Sequence, residues 1–161
     1  MRRLTPGDLV EIAAIERLKY RYIRALDLKE WDALGDCLTE DCRSAYGDGR
    51  FSFEGRAAIV TFLKDALGPP TRISSHRVHH PEIDLTGPTA ATGLWALDDV
   101  VIETEARLTI RGSAYYHDEY VKVGGAWKIA RTGYRRIYEE TESRSDTPSL
   151  VLTTHASVHA G

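Results

Sequence analysis

Four long segments with β-strand character follow one another in the second half of the chain, and they constrain the fold more than any other feature. Turn-forming residues separate neighbouring segments by only two or three positions, at 86–88, 104–106 and 124–125. Connections this short join antiparallel strands, because a parallel pair needs a crossover of a dozen residues or more. The sequence therefore predicts an antiparallel meander. Its strands are expected over 72–85, 89–103, 107–123 and 126–139.

Helical periodicity dominates the first half of the chain. Thr5-Pro6-Gly7-Asp8 is typical of a helix start with Thr5 as N-cap, and apolar residues then recur at helical spacing from Leu9 to Ala25. Shorter helices are predicted around 31–38 and over 55–67, with a glycine-containing hairpin over 42–53 between them. Helices followed by an antiparallel meander indicate an α+β fold.

A single domain is predicted over residues 1–140, because a chain of 161 residues is about one domain and no linker interrupts it. The tail over 141–161 is rich in Ser and Thr and lacks periodicity. Two interpretations remain open for this tail: it is disordered, or it folds back as a lid over a cavity.

Composition argues against several classes of function. The formal net charge is −3 without any Lys/Arg-rich block, so neither a nucleic acid nor a membrane is expected as partner. No apolar run approaches the length of a membrane span, and no apolar h-region follows Arg2-Arg3 as in a signal peptide. Cys37 and Cys42, the only cysteines, form neither a disulfide framework nor a metal motif, which favours a reducing cytoplasm. Phosphate-binding loops and a serine-hydrolase elbow are also absent from the sequence.

Three of the six histidines lie on the first long strand, within a stretch of five residues: His76, His79 and His80. Strand alternation would direct His76 and His80 to the same side as Val78, and Arg77 and His79 to the other. The side of Val78 is expected to face inward, which makes His76 the candidate for proton chemistry. The alternative is a surface strand rich in imidazoles. Because alternation separates the three rings, they are not expected to converge on one metal ion.

The predicted end of the first helix carries a carboxylate in apolar surroundings. Asp27 lies between Leu26 and Leu28, five residues after Tyr22. A twisted sheet that curls over this helix would leave polar groups at its end facing the opening of the cone. Alternatively, Asp27 only caps the second helix, which is a common role for Asp.

The second and third long strands offer further candidates. Trp95, Leu97 and Asp99 share one face of their strand, and the adjacent Asp98 points to the other. If the Trp95 face is concave, desolvation is expected to raise the pKa of Asp99 into a useful range for acid–base chemistry. If it is not, Asp99 is a solvated surface acid. On the next strand the apolar alternation directs Tyr116 inward.

The sequence does not determine which face of the last strand is concave. Trp127 and Ile129 share one face, whereas Thr132, Tyr134 and Arg136 share the other. A further possibility is that both faces are buried, one of them against another subunit.

Several strings, in this order and at these separations, resemble the SnoaL-like proteins of the nuclear transport factor 2 / scytalone dehydratase superfamily. The resemblance spans about residues 8–139. The strings are Ile15-Glu16-Arg17-Leu18-Lys19-Tyr20-Arg21-Tyr22-Ile23-Arg24-Ala25-Leu26-Asp27, Trp31-Asp32-Ala33-Leu34, Ser75-His76, Ala91-Thr92-Gly93-Leu94-Trp95, Tyr116-His117-Asp118 and Gly125-Ala126-Trp127-Lys128-Ile129. The resemblance implies a cone-shaped, cystatin-like α+β fold with a deep apolar cavity, no cofactor, a small hydrophobic substrate and a homodimer or homotrimer.

The resemblance is nearest to the bile-acid dehydratase and hexachlorocyclohexane dehydrochlorinase branch, and it implies a site. Asp27 and His76 occupy the positions of that branch's acid–base dyad, with Tyr22 and Asp99 as further catalytic candidates. The implied substrate-binding residues are Trp95, Leu97, Tyr116, Thr132, Tyr134 and Arg136, with no metal. The implied activity is a cofactor-independent lyase of the dehydratase type, acting on a cyclic apolar compound such as a steroid or polyketide. The alternatives are an isomerase or cyclase with the same dyad, and a non-catalytic binding or oligomerisation module.

Overall fold

The computed structural model describes residues 3–154 and confirms the predicted α+β fold class. The elements are α1 (Pro6–Leu28), α2 (Trp31–Asp36), β1 (Leu38–Tyr46), β2 (Phe51–Glu54), α3 (Arg56–Leu67), β3 (Arg72–Gly87), β4 (Ala90–Glu103), β5 (Leu108–Val123) and β6 (Ala126–Ser143). The last strand continues beyond residue 140, where the domain was expected to end, because Leu108 to Ile110 of β5 pair with Thr141 to Ser143.

The first helix begins and ends with specific caps, and its end positions the site. At its start, the Thr5 hydroxyl accepts a hydrogen bond from the Asp8 backbone N–H, and the Asp8 carboxylate accepts one from the Thr5 backbone N–H. At its end, Lys29 adopts a left-handed conformation with φ 61°. The Lys29 ammonium also donates to the carbonyl oxygens of Gly68, Pro69 and Arg72. These bonds tie the last turn of α1 to the start of β3.

The six strands form one curved, unclosed sheet in the order β2-β1-β6-β5-β4-β3. The four long strands form the antiparallel meander that their short connections predicted. β1 instead runs parallel to β6, a pairing that strand patterns alone did not indicate. The three helices pack on the concave face, and α1 lies beside β3 at the edge of the sheet.

A β-bulge in β6 explains why its concave face could not be read from alternation. Tyr120 pairs with Ile129 and Glu119 pairs with Arg131, so Ala130 is an extra residue on β6. An extra residue reverses the alternation beyond it. Ile129 and Thr132 are accordingly both fully buried, although strict alternation places them on opposite faces.

A second irregularity corrects the expected orientation of His80. The register of β3 against β4 shifts between His79 and Glu82, and His80 itself has φ 27°. His76 remains buried on the inner side, but His80 is exposed and does not share its face.

Candidate active site

The carboxylate of Asp27 and the imidazole of His76 are in direct contact. Oδ1 of Asp27 lies 2.7 Å from His76 Nδ1 and accepts a hydrogen bond of 2.9 Å from the Ser74 hydroxyl. Oδ2 accepts a 2.8 Å hydrogen bond from the backbone N–H of His76. An ionised carboxylate only accepts, so the proton of this contact resides on Nδ1, and the lone pair of the neutral ring is on Nε2. Within residues 3–154 no group hydrogen-bonds to Nε2.

Local sequence explains how the two groups meet. Asp27 lies in the last turn of α1, and Ser74 and His76 are alternate residues on the inner side of β3. Asp27 does not cap the following helix, whose N-cap position is Glu30. The interpretation of Asp27 as a simple cap is therefore excluded.

Asp27 is held in its ionised form. Burial by itself would raise the pKa of this carboxyl group, but the hydrogen bond and charge of the His76 side chain, the His76 backbone N–H and the Ser74 hydroxyl lower it by more. The net effect is a pKa below the usual value, so the carboxylate can orient the imidazole and stabilise its protonated form.

The dyad faces a cavity of about 540 Å³ between α1, the first half of β3 and the end of the described chain. Apolar atoms make up most of the surface of the wall, and the side chains of His76 and Asp27 remain 9% and 13% exposed. The lining residues are Tyr20, Ile23, Arg24, Asp27, Leu28, Ile73, Ser74, Ser75, His76, Arg77, Val78, Leu152, Thr153 and Thr154. The described part of the tail thus folds back onto this cavity, whereas residues 155–161 lie outside the described residues.

Tyr22 is packed away from this cavity. Its ring is fully buried, and its hydroxyl lies 2.7 Å from that of Tyr46. Burial raises the pKa of both phenols far above the ordinary value. Tyr46, which sequence reasoning did not single out, is therefore the partner of Tyr22.

Asp99 is buried, as in one of its two interpretations, but it has an ionic partner in place of an apolar pocket. Its carboxylate binds Arg136 through both guanidinium Nη atoms, and the second contact measures 3.1 Å. Burial would lower the pKa of Arg136, but the hydrogen bond and charge of Asp99 raise it. Gly112 makes room for this pair, because a Cβ there would collide with the guanidinium. The guanidinium engages both oxygens of Asp99, and neither residue lines the cavity at the dyad.

The remaining expected substrate-binding residues lie elsewhere. Trp95, Leu97 and Tyr116 are almost fully buried in the core, on the concave face but behind the wall of the cavity. Thr132 and Tyr134 line a separate, polar groove of about 700 Å³. The resemblance placed the expected substrate-binding residues on the concave face of the sheet, but α1 occupies the space next to that part of the face.

A buried ion pair was missed in the sequence. Lys19 Nζ lies 2.7 Å from Asp118 Oδ2, both side chains are wholly buried, and the ammonium sits 3.5 Å from the ring centroid of Tyr116. Tyr120 donates a 2.7 Å hydrogen bond to the same Asp118 oxygen. Burial lowers the pKa of Lys19, and Asp118 opposes that effect. The positions of the two residues could have revealed the pair, because Lys19 falls on the apolar stripe of α1 and Asp118 on the inward face of β5.

Residues 3–154 contain neither a metal-binding cluster nor a membrane-spanning helix. Among residues 3–154, no three His, Cys, Asp or Glu side chains are grouped so that they could hold a metal ion. No helix in the same part of the chain is long and apolar enough to cross a bilayer.

The architecture, a curved sheet wrapped around N-terminal helices, defines a protein of the nuclear transport factor 2-like class. The chain belongs to the SnoaL-like domain family, whose model matches residues 8–133. A solved structure titled "Putative Scytalone Dehydratase", from Novosphingobium aromaticivorans DSM 12444, is 30% identical, with a TM-score of 0.78 over 85% of this chain and 91% of that one. The hexachlorocyclohexane dehydrochlorinase of type 3 from Novosphingobium barchaimii LL02 is 18% identical. Its TM-score is 0.75 over 83% of this chain and 91% of that one, a likeness of fold.

Proposed function

We propose that this protein is a cofactor-independent lyase of the dehydratase type, with Asp27 and His76 as its general acid–base dyad. The observation that carries the proposal is the 2.7 Å contact between Asp27 Oδ1 and His76 Nδ1 on the wall of a largely apolar cavity. A similar structure named for scytalone dehydratase supports the class of reaction. The apolar lining favours a cyclic hydrophobic substrate of the size of a steroid ring system or a polyketide.

The arrangement allows a simple elimination. His76 Nε2 takes a proton from a carbon next to a carbonyl, and Asp27 stabilises the resulting imidazolium. The C–H electron pair forms the new double bond as the C–O bond of the neighbouring hydroxyl breaks. The imidazolium proton then passes to the departing hydroxide, so that one water leaves and the dyad returns to its starting state.

The rate enhancement has to come from more than the base. A positioned general base contributes roughly 10²–10⁴. Fixed orientation in a cavity that excludes water supplies much of the remainder. Tyr20 belongs to the wall of the same cavity, and its hydroxyl is the candidate for polarising the carbonyl. Tyr22, Tyr116 and Asp99 have no access to this cavity, and the proposal therefore assigns them no contact with substrate.

The test is turnover of cyclic β-hydroxy ketones, followed by mass spectrometry for the loss of one water. His76→Ala is expected to reduce turnover by at least about 10²-fold, because it removes the base. His79→Ala is the matched control, since His79 lies on the same strand, is exposed and does not line the cavity. Circular dichroism verifies that both variants fold.

The outcomes separate the alternatives. Equal activity of the two variants would overturn the proposal. A product of unchanged mass that carries solvent deuterium would indicate an isomerase instead. Binding without any turnover would indicate a non-catalytic module.

A further inference from the structure

Two arginines belong to the wall of the cavity, which is otherwise largely apolar. Arg24 comes from α1 and Arg77 from β3, and both side chains are mostly exposed, at 62% and 67%. Asp27 is the only acidic residue among the described residues that line the cavity. The cavity therefore carries more positive than negative charge.

The Asp27 carboxylate offsets only part of this positive charge. Both of its oxygens already accept hydrogen bonds, from Ser74 and from the side chain and backbone of His76. Arg77 Nη1 lies 3.8 Å from Asp27 Oδ2, too far for a hydrogen bond, and donates instead to the His76 carbonyl oxygen at 2.8 Å. That bond fixes one side of the guanidinium and leaves its other N–H groups available.

Arg24 is also available to a ligand. The carboxylate that pairs with it belongs to Glu30, and Arg24 Nε lies 3.9 Å from the Glu30 carboxylate oxygen. The Glu30 side chain is itself 36% exposed. An exposed pair at this distance is weak and screened by salt, so a ligand can displace it. Arg24 precedes Asp27 by three residues on α1, and Arg77 directly follows His76. The two arginines therefore belong to the same cavity wall as the dyad and come from two different elements.

We infer that the natural ligand of this cavity is an acid: an apolar ring system with a carboxylate that binds Arg24 and Arg77 while the ring occupies the apolar wall. A guanidinium matches a carboxylate through two parallel hydrogen bonds, which adds orientation as well as affinity. Binding of the carboxylate beside the dyad would hold the ring at a fixed distance from His76 Nε2. The inference rests on the proposed function for the choice of cavity, but it makes a separate claim about binding.

The experiment compares naphthalene-2-carboxylate with naphthalene-2-carboxamide, which have the same shape and differ in charge. Isothermal titration calorimetry at pH 7 is expected to give about tenfold tighter binding of the carboxylate to the unmodified protein. The double variant Arg24→Gln/Arg77→Gln is expected to reduce this preference to less than about twofold. Added salt should weaken binding of the carboxylate and leave that of the amide unchanged.

Arg21→Gln is the matched control, because Arg21 is a half-exposed arginine of α1 that does not line the cavity. It is expected to retain the full preference for the carboxylate. Equal affinity for the two probes, failure of both to bind, or a preference that survives the double variant would each overturn the inference.

His76→Ala distinguishes this inference from the proposed function. The preference for the carboxylate is expected to persist in that variant, because the arginines and not the imidazole carry it. A persistent preference without lyase activity on any substrate would leave the acid site standing and remove the elimination. Dyad-dependent elimination without any preference would do the reverse.

Discussion

His76 and Asp99 lie directly opposite each other on β3 and β4, yet the Asp99 carboxylate binds Arg136, which is two strands away. Arg136 reaches it across Gly112 of β5, where any side chain would block the path. The guanidinium thereby keeps a second buried carboxylate from competing for the imidazole. His76 is left with one acidic partner, Asp27, which is the arrangement that a directional proton transfer requires.

The ion pair between Asp99 and Arg136 makes a prediction about stability. Arg136→Gln is expected to lower the free energy of unfolding by about 3 kcal/mol, because it leaves a buried carboxylate without its cation. Urea denaturation at pH 7 measures this change. Arg135→Gln removes the exposed neighbour on the same strand and is expected to change stability by less than about 0.5 kcal/mol. Similar losses in the two variants would contradict a structural role for the pair.

The lowered pKa of Asp27 predicts how stability depends on pH. Its hydrogen bonds favour the ionised form in the folded state, so their contribution is fully present above the ordinary pKa of 3.8. The contribution is lost as the pH falls through the lower pKa of the folded protein. The stability difference between the unmodified protein and Asp27→Asn should therefore shrink as the pH falls from about 5 towards 3.

Urea denaturation at a series of pH values measures this dependence. Asp41→Asn, on the exposed side of β1, is the control, and its difference from the unmodified protein is expected to be small throughout. A difference for Asp27→Asn that grows as the pH falls from about 5 towards 3 would contradict the direction of the pKa shift.

The buried pair of Lys19 and Asp118 predicts strong coupling. Lys19→Met is expected to destabilise the protein by about 3–5 kcal/mol, because it leaves Asp118 buried without a cation. The double variant Lys19→Met/Asp118→Asn removes both charges and is expected to recover a large part of that loss. A double-mutant cycle from urea denaturation measures the coupling. Additive losses in the two single variants would show that the ion pair contributes nothing specific.

Features that depend on neighbouring residues could be predicted from the sequence, whereas contacts between distant segments could not. The cap at Thr5, the end of α1 and the inner orientation of His76 depend on a few neighbouring residues, and they were predicted. The contact between Asp27 and His76 joins distant segments, and only the family resemblance brought them together in advance. The lid interpretation of the tail could not be decided, because it depends on an apolar contact of a single residue, Leu152, with a cavity formed by other elements.

The missed features depend on non-local register. The bulge at Ala130 reverses the inward face of β6, and no residue in that stretch signals it. The partner of Asp99 could not be predicted for the same reason, since Arg136 lies beyond this bulge. Alternation grouped Trp95, Leu97 and Asp99 on one face of β4, but it left open whether that face is concave and how deeply α1 fills the space in front of it. The cavity therefore lies nearer the edge of the sheet than the expected lining residues do.

The end of the described chain makes the last prediction. Leu152 lines the same cavity as the dyad and is 39% exposed, whereas its neighbour Val151 is 83% exposed and does not line it. Leu152→Ala is expected to weaken binding of naphthalene-2-carboxamide about fivefold, because roughly 1 kcal/mol of apolar contact is lost. Val151→Ala should leave this affinity unchanged, and neither variant should alter the urea midpoint, since few contacts hold the tail. Equal affinities in the two variants would show that the tail does not cover the bound ring, and the cavity would then be open on that side.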